Sequence, residues 1–213
     1  MLASTSASYS PRHSATASGQ PMGALRPRPV IFHAPDTEIY AQGEKSGALY
    51  KIEYGAVRIY RLLTDGRRQV VAFHIKGETF GFEARGVHSF YAEAIVPSGL
   101  ISVEAEGSEP HRNDLMTLAL QSMIRAQEHL LVVGRQSALE KLAVFLVDLD
   151  RRQGHDGIID LPMTRTDIGD YLGMTVETVS RSMSKLREMG IVRLKNTRCI
   201  EVLRHDKLRA IGE

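Results

Sequence analysis

The sequence predicts an α+β chain in three structural parts. A barrel of short strands comes first, then one long helix, then a compact unit in which two short helices precede a pair of strands. Three observations carry this. From about residue 26 to 108, glycines fall repeatedly between short apolar runs, at Gly43, Gly47, Gly55, Gly66, Gly77 and Gly81. That is the punctuation of many short strands in a small barrel or jelly roll. From His111 to Val133 Pro and Gly vanish, and apolar residues recur at steps of four and three. Beyond Met163, cap and stop residues follow one another at helix-sized intervals.

Composition narrows the classes. The 213 residues suffice for two modest domains, and 43% hydrophobic with 24% charged residues is ordinary for a globular protein. Net charge is only +2 at pH 7, so any attraction for nucleic acid must be local. Cys199 is the one cysteine, which excludes an internal disulfide and an iron–sulfur cluster held by four thiolates. No apolar run approaches the roughly 20 residues that span a bilayer. The N-terminus lacks the apolar segment of a secretory signal, so a cytoplasmic protein is expected. No nucleophile–base pair or metal-ligand motif stands at meaningful spacing, so neither an enzyme nor a bound cofactor or metal is expected.

Residues 1–25 are mostly small and polar, too poor in apolar side chains to offset ordering entropy, and read as a mobile tail. The barrel is expected over 26–110. Within it AVRIYRLLTDGRRQVVAF is a hairpin, with β-rich runs flanking an Asp65-Gly66 turn. A dimerisation helix and hinge are expected over 111–136. Met116, Leu120, Met123, Gln127 and Leu130 hold the a/d spacing of a coiled-coil seam, with Gln127 a polar residue of the kind that fixes register. The same stripe could instead lie on the chain's own barrel. Gly134 reads either as a hinge or as a helix cap. A second helix, Ala138 to Arg152, opens the last unit, 137–213.

In that unit Thr164 and Asp167 form a T-x-x-D start to the helix RTDIGDYLG, which Gly173 ends. Thr175 then caps a helix running from Val176 to about Met189, stopped by Gly190. Two short helices across a Gly-containing turn form a helix-turn-helix. IVRL and CIEVL, separated by KNTR, read as a two-stranded wing. At 100° per residue Val176, Val179, Met183 and Leu186 share the inner side of the second helix. Glu177, Ser180, Arg181 and Ser184 share the other. A solvated face with an i,i+4 ion pair is the plain explanation of such a set. Its position favours another: the first two turns of the second helix are where helix-turn-helix proteins touch base edges. Arg can read guanine and Glu can accept from cytosine N4. From Arg181 to Arg204 seven basic residues meet two acidic ones, Glu188 and Glu201, a local excess suited to phosphates.

These segments resemble the CRP/FNR superfamily of bacterial transcription regulators, from about residue 30 to the C-terminus. MTRTDIGDYLGMTVETVSR is similar to the FNR-type helix-turn-helix, with E-x-x-S-R at Glu177, Ser180 and Arg181. SALEKLAVFLVDLDRR is similar to the helix after the dimerisation helix, and GALYKIEYGAVRIYRLLTDGRRQVVAFHIKGETFGFE to the cyclic-nucleotide-binding-like barrel. The resemblance implies a homodimer with a C-terminal winged helix-turn-helix, probing successive major grooves of a TTGA…TCAA palindrome. Glu177, Ser180 and Arg181 would read bases; Thr164, Thr175, Lys185, Lys195 and Arg198 would hold the DNA backbone; RNA polymerase would be a further partner. Cyclic-AMP-binding members carry Arg-Ser where this chain has Phe90 and Tyr91, and oxygen-sensing members need four cysteines. The pattern that remains is the FixK type, read here as an activator without a small-molecule effector. A haem- or nucleotide-responsive member, with His74 and His88 as haem candidates, is the alternative, as is a repressor. Cys199, in the wing, reads as a strand residue rather than a redox switch.

Overall fold

The computed structural model describes residues 29–104, 109–154 and 156–213, with the backbone alone at 104 and 109–112. The expected N-terminal tail, 1–25, lies outside the described residues. Eight strands form the first part: β1 (Ile31–His33), β2 (Glu38–Tyr40), β3 (Ala48–Tyr54), β4 (Ala56–Leu62), β5 (Arg68–Ile75), β6 (Thr79–Phe80), β7 (Tyr91–Ala94) and β8 (Ser98–Glu104). They pair as two four-stranded antiparallel sheets, β1-β8-β3-β6 and β2-β7-β4-β5. The expected barrel is thus a two-sheet roll, with Tyr40, Ile52, Val57, Ile59, Phe80, Ala92 and Leu100 buried together.

The β4–β5 hairpin pairs from Ala56–Ile75 to Leu62–Arg68, with a one-residue shift of register between Ile59 and Tyr60. Its turn closes as expected at Asp65-Gly66, where Gly66 has φ +82° and Asp65 accepts from the Arg67 backbone N–H. The first half of β4 is buried at four consecutive residues, Ala56 to Ile59. A strand that faced solvent on one side would alternate; here the C-terminal unit covers the outer face.

Helix α1 (Glu109–Val133) follows. Met116, Leu120, Met123 and Leu130 are exposed, as are Ile124 and Leu131 and Gln127. Leu115, Leu118, Ser122, Arg125, His129 and Val132 are less exposed, and at 100° per residue they lie nearly opposite. The four-three stripe therefore does not lie on the roll; a second stripe does. Glu78, between β5 and β6, fastens both helices to the roll. It accepts from Arg125 of α1 at 2.7 Å and from Arg152 of α2 (Ala138–Gln153) at 2.9 Å. Burial alone would raise the Glu78 pKa, but bonds from His74 and Arg152 outweigh it and hold the carboxyl far below its usual range.

The remaining elements are β9 (Ile158–Asp160), α3 (Arg165–Leu172), α4 (Val176–Glu188), β10 (Val192–Asn196), β11 (Cys199–Val202) and α5 (His205–Gly212). The expected two-stranded wing is a three-stranded sheet, β10-β11-β9. The added strand places Ile159 fully in the core; its three residues are too short to show a period. Helix α5, also unmarked in the sequence reading, buries Leu208, and its His205 lies 3.6 Å from Asp150 of α2. One buried cluster joins the roll to this unit. It runs from Ala56, Val70, Phe73 and Ile75 through Leu142, Phe145 and Leu146 to Ile168, Val179 and Leu186.

Candidate nucleic-acid interface

Capping bonds place α3. Thr164 Oγ1 accepts from the Asp167 backbone N–H at 3.1 Å, while Asp167 Oδ2 accepts from the Thr164 N–H at 2.9 Å and its hydroxyl at 2.7 Å. A cap of this kind is worth about 1 kcal/mol. Gly173 ends α3 at φ +66°, a left-handed conformation that glycine enters without steric cost. The chain then turns so tightly that the Met174 N–H donates to the Gly169 carbonyl at 2.9 Å. A Cβ on Gly169 would lie 2.6 Å from the Met174 oxygen, so a larger residue would force the two helices apart. Thr175 caps α4 by accepting from the Thr178 N–H at 3.2 Å.

The inner face of α4 is Val179, Ser182, Met183 and Leu186, all buried. Val176, expected in this stripe, is instead 38% exposed. As the first helical residue it projects beyond the core at the mouth of the turn. On the outer side Glu177 and Arg181 are exposed, with Ser180 and Ser184 half-buried between them. Hydrogen bonds from the Glu177 backbone N–H and from the Thr175 hydroxyl are the main causes holding the Glu177 carboxyl below its usual range. It is therefore an ionised acceptor at neutral pH.

The other sequence-selected cations divide. Lys185, Lys195 and Arg198 are exposed, the last two flanking a turn in which the Arg198 N–H donates to Asn196 at 2.7 Å. Arg193 is drawn into a pair with Glu201 at 3.1 Å. Thr164 has both donors committed to Asp167 and can reach a phosphate only by releasing one. Sequence reasoning missed the groups that grip α3 from the roll, Arg58, Arg68 and Gln69, and the ring that seats it, Tyr171. That ring stacks on His129 at 3.8 Å, and His129 Nε2 lies 2.8 Å from the Tyr171 carbonyl oxygen.

A cavity of about 510 Å³ lies between the roll and α1, with Val71, Phe73, Phe80, Phe90, Arg125 and His129 in its wall. Phe90 carries the Arg61 guanidinium 5.3 Å above its ring, and Tyr91 stacks on Tyr60 at 5.2 Å. The Glu83 carboxylate takes both the N–H and the hydroxyl of Ser89 at 2.8 Å. His74 stacks on Phe80 and His88 on Tyr40, with centroids 5.4 and 3.6 Å apart.

Two capped helices across a tight turn, a basic sheet behind them and a polar face in front define a winged helix-turn-helix, a class of fold that reads duplex DNA. Residues 140–211 match the Crp-like helix-turn-helix domain and residues 30–108 the cyclic nucleotide-binding domain. The chain is 51% identical over 185 residues to the nitrogen fixation regulation protein FixK of Rhizobium meliloti, covering 87% of this chain and 88% of that one. It is 34% identical to the transcriptional activatory protein AadR of Rhodopseudomonas palustris, over 84% of this chain and 81% of the relative. The solved structure of FixK2 from Bradyrhizobium japonicum superposes with a TM-score of 0.82 at 37% identity, covering 87% of this chain and 98% of the other. The chain belongs to the CRP/FNR family of transcription regulators, within its FixK type. Among the described residues no helix is long and apolar enough to cross a membrane.

Proposed function

We propose that the chain acts in the cytoplasm as a homodimeric transcription activator, binding TTGA…TCAA palindromes without a small-molecule effector. The observation that carries this is the open face of α4. Arg181 and Glu177 stand in solvent on its first two turns, while Val179, Met183 and Leu186 are fully buried behind them. In this reading Arg181 meets guanine O6 and N7, Glu177 accepts from the paired cytosine, and Ser180 lies near a thymine. Thr164, Thr175, Lys185, Lys195 and Arg198 line the flanking phosphates. The exposed stripe of α1 pairs with its copy, so 111–136 joins two protomers, each with a roll at 26–110 and a DNA-binding unit at 137–213. RNA polymerase is the further partner of an activator.

Effector independence is supported by the loop where cyclic-AMP-binding members place Arg-Ser. The Phe90 and Tyr91 side chains themselves carry no cation, the Arg61 guanidinium there is stacked over the Phe90 ring, and Glu83 already occupies the Ser89 donors with a negative charge. An anion entering the cavity would meet that carboxylate, and Arg125 is bonded to Glu78. The test is footprinting on a TTGA…TCAA palindrome with no added ligand, which should protect both arms. Protection only after adding a nucleotide or haem would overturn the effector-free reading, and no protection at any concentration would overturn the operator.

A further inference from the structure

The roll grips the first helix of the helix-turn-helix, and base reading makes no use of that grip. Arg58, on β4, is 7% exposed. It donates to Asp167 at 3.1 Å and to Asp36 at 3.0 Å, and it also pairs with Glu93. Arg68, on β5, reaches the same Asp167 oxygen at 2.6 Å and holds Asp170 through two bonds of 2.8 and 3.0 Å. The Gln69 side chain donates to the Asp170 carbonyl at 2.6 Å. The Tyr60 ring lies 5.7 Å from the Arg68 guanidinium and holds it in place. Exposed ion pairs contribute little, but the Asp167 side chain is only 1% exposed. A buried charge that loses its partner is costly, so one docked geometry is enforced.

Asp167 is also the residue that caps α3. Its two oxygens divide the work, one closing the helix start and the other receiving both arginines. Because α3 is bound to α4 through the tight Gly169–Met174 turn, the roll dictates where α4 stands. The roll is itself fastened to α1 by Glu78. A rigid path therefore runs from the exposed stripe of α1 to the exposed face of α4.

We propose that Arg58 and Arg68, acting through Asp167 and Asp170, are positioning residues that fix the half-site spacing the regulator accepts. The proposal rests on the homodimer-on-palindrome reading above. Each added base pair moves a half-site by about 3.4 Å along the axis and turns it by about 35°. A dimer whose recognition helices are docked to their own rolls cannot follow; one whose helices swing from a loose hinge can.

The test uses the full chain and duplexes carrying TTGA and TCAA arms, with the spacer varied one base pair at a time. The wild type should prefer one spacer by at least tenfold over its neighbours. Arg68→Ala and, leaving the cap intact, Asp170→Asn should keep the preference for these arms over scrambled ones while the spacer ratio falls to about threefold. Arg68→Lys, which keeps a cation against Asp167 and Asp170, should retain most of the wild-type spacer ratio. If the folded single variants, and in particular Asp170→Asn, discriminate spacers as sharply as the wild type, the positioning role is wrong while the operator reading stands. If the wild type shows no preference for these arms at any spacer, the operator reading fails and this proposal falls with it.

Discussion

Leu120→Glu should convert the protein to a monomer. Six large apolar side chains on the outer face of α1, Met116, Leu120, Met123, Ile124, Leu130 and Leu131, are between 48% and 74% exposed. Fully burying such a side chain is worth roughly 1.5–3 kcal/mol, so completing the burial contributes about 1–2 kcal/mol each. Two copies of the stripe give roughly 12–24 kcal/mol, an upper figure, against an association cost of roughly 4–15 kcal/mol. The surplus is several kcal/mol, of the order that holds a dimer at micromolar concentration, where the total needed is about 8 kcal/mol. Leu120→Glu removes about 2–4 kcal/mol across the pair and places two carboxylates in the seam, each costing several kcal/mol when desolvated. That exceeds the surplus. Sedimentation at micromolar concentration should show monomers, whereas Gln121→Glu, exposed but off the stripe, should stay dimeric. A Leu120→Glu dimer would remove this face from the interface, whatever its apolar character.

Other outcomes follow from the same geometry. Arg181→Ala should lose about 1–3 kcal/mol on the operator and almost nothing on scrambled DNA; equal losses on both would make Arg181 a phosphate clamp. Lys195→Ala should weaken binding to every sequence and flatten its salt dependence, read from titrations across a salt series. Cyclic AMP should leave operator affinity unchanged, and affinity in air and under anaerobic conditions should agree apart from oxidation of Cys199; a tenfold gain with the nucleotide would refute this. Glu78 has a folded-state pKa below its ordinary 4.5, so its contribution is present above that value and lost as pH falls toward the folded pKa. Thermal melts should therefore show stability dropping below about pH 4.5, with a shallower drop in Glu78→Gln.

What could be read from the sequence was local chemistry. Asp65-Gly66 announces its hairpin, and Thr164, Asp167, Gly173 and Thr175 announce two helix boundaries because each residue acts on backbone groups within a turn of itself. The periodic stripe of α1 was legible, but its orientation needed the opposite stripe, where Ser122, Arg125 and His129 are too polar to signal burial. Strand β9 and helix α5 were lost because three and eight residues carry little periodicity. Val176 was misplaced because helical angles say nothing about where a core ends. The grip on α3 was invisible for another reason: Arg58 and Arg68 lie 109 and 99 residues from Asp167. The available hint was an arginine inside the apolar run AVRI, a charge that a strand buried on both faces could keep only with a partner.

The buried cluster that passes from β5 into the C-terminal unit makes separation of the two difficult. Phe73 of the roll meets Phe145 of α2 at 6.3 Å and Tyr171 of α3 at 5.1 Å between ring centroids. A fragment beginning at α2 would turn those rings toward water, and so would a roll cut off before it. Heat should then melt both parts in one calorimetric event, because the shared cluster couples the roll to the C-terminal unit. A protease that nicks the connection would release sticky fragments for degradation rather than a free DNA-binding piece. The regulator is withdrawn whole or not at all.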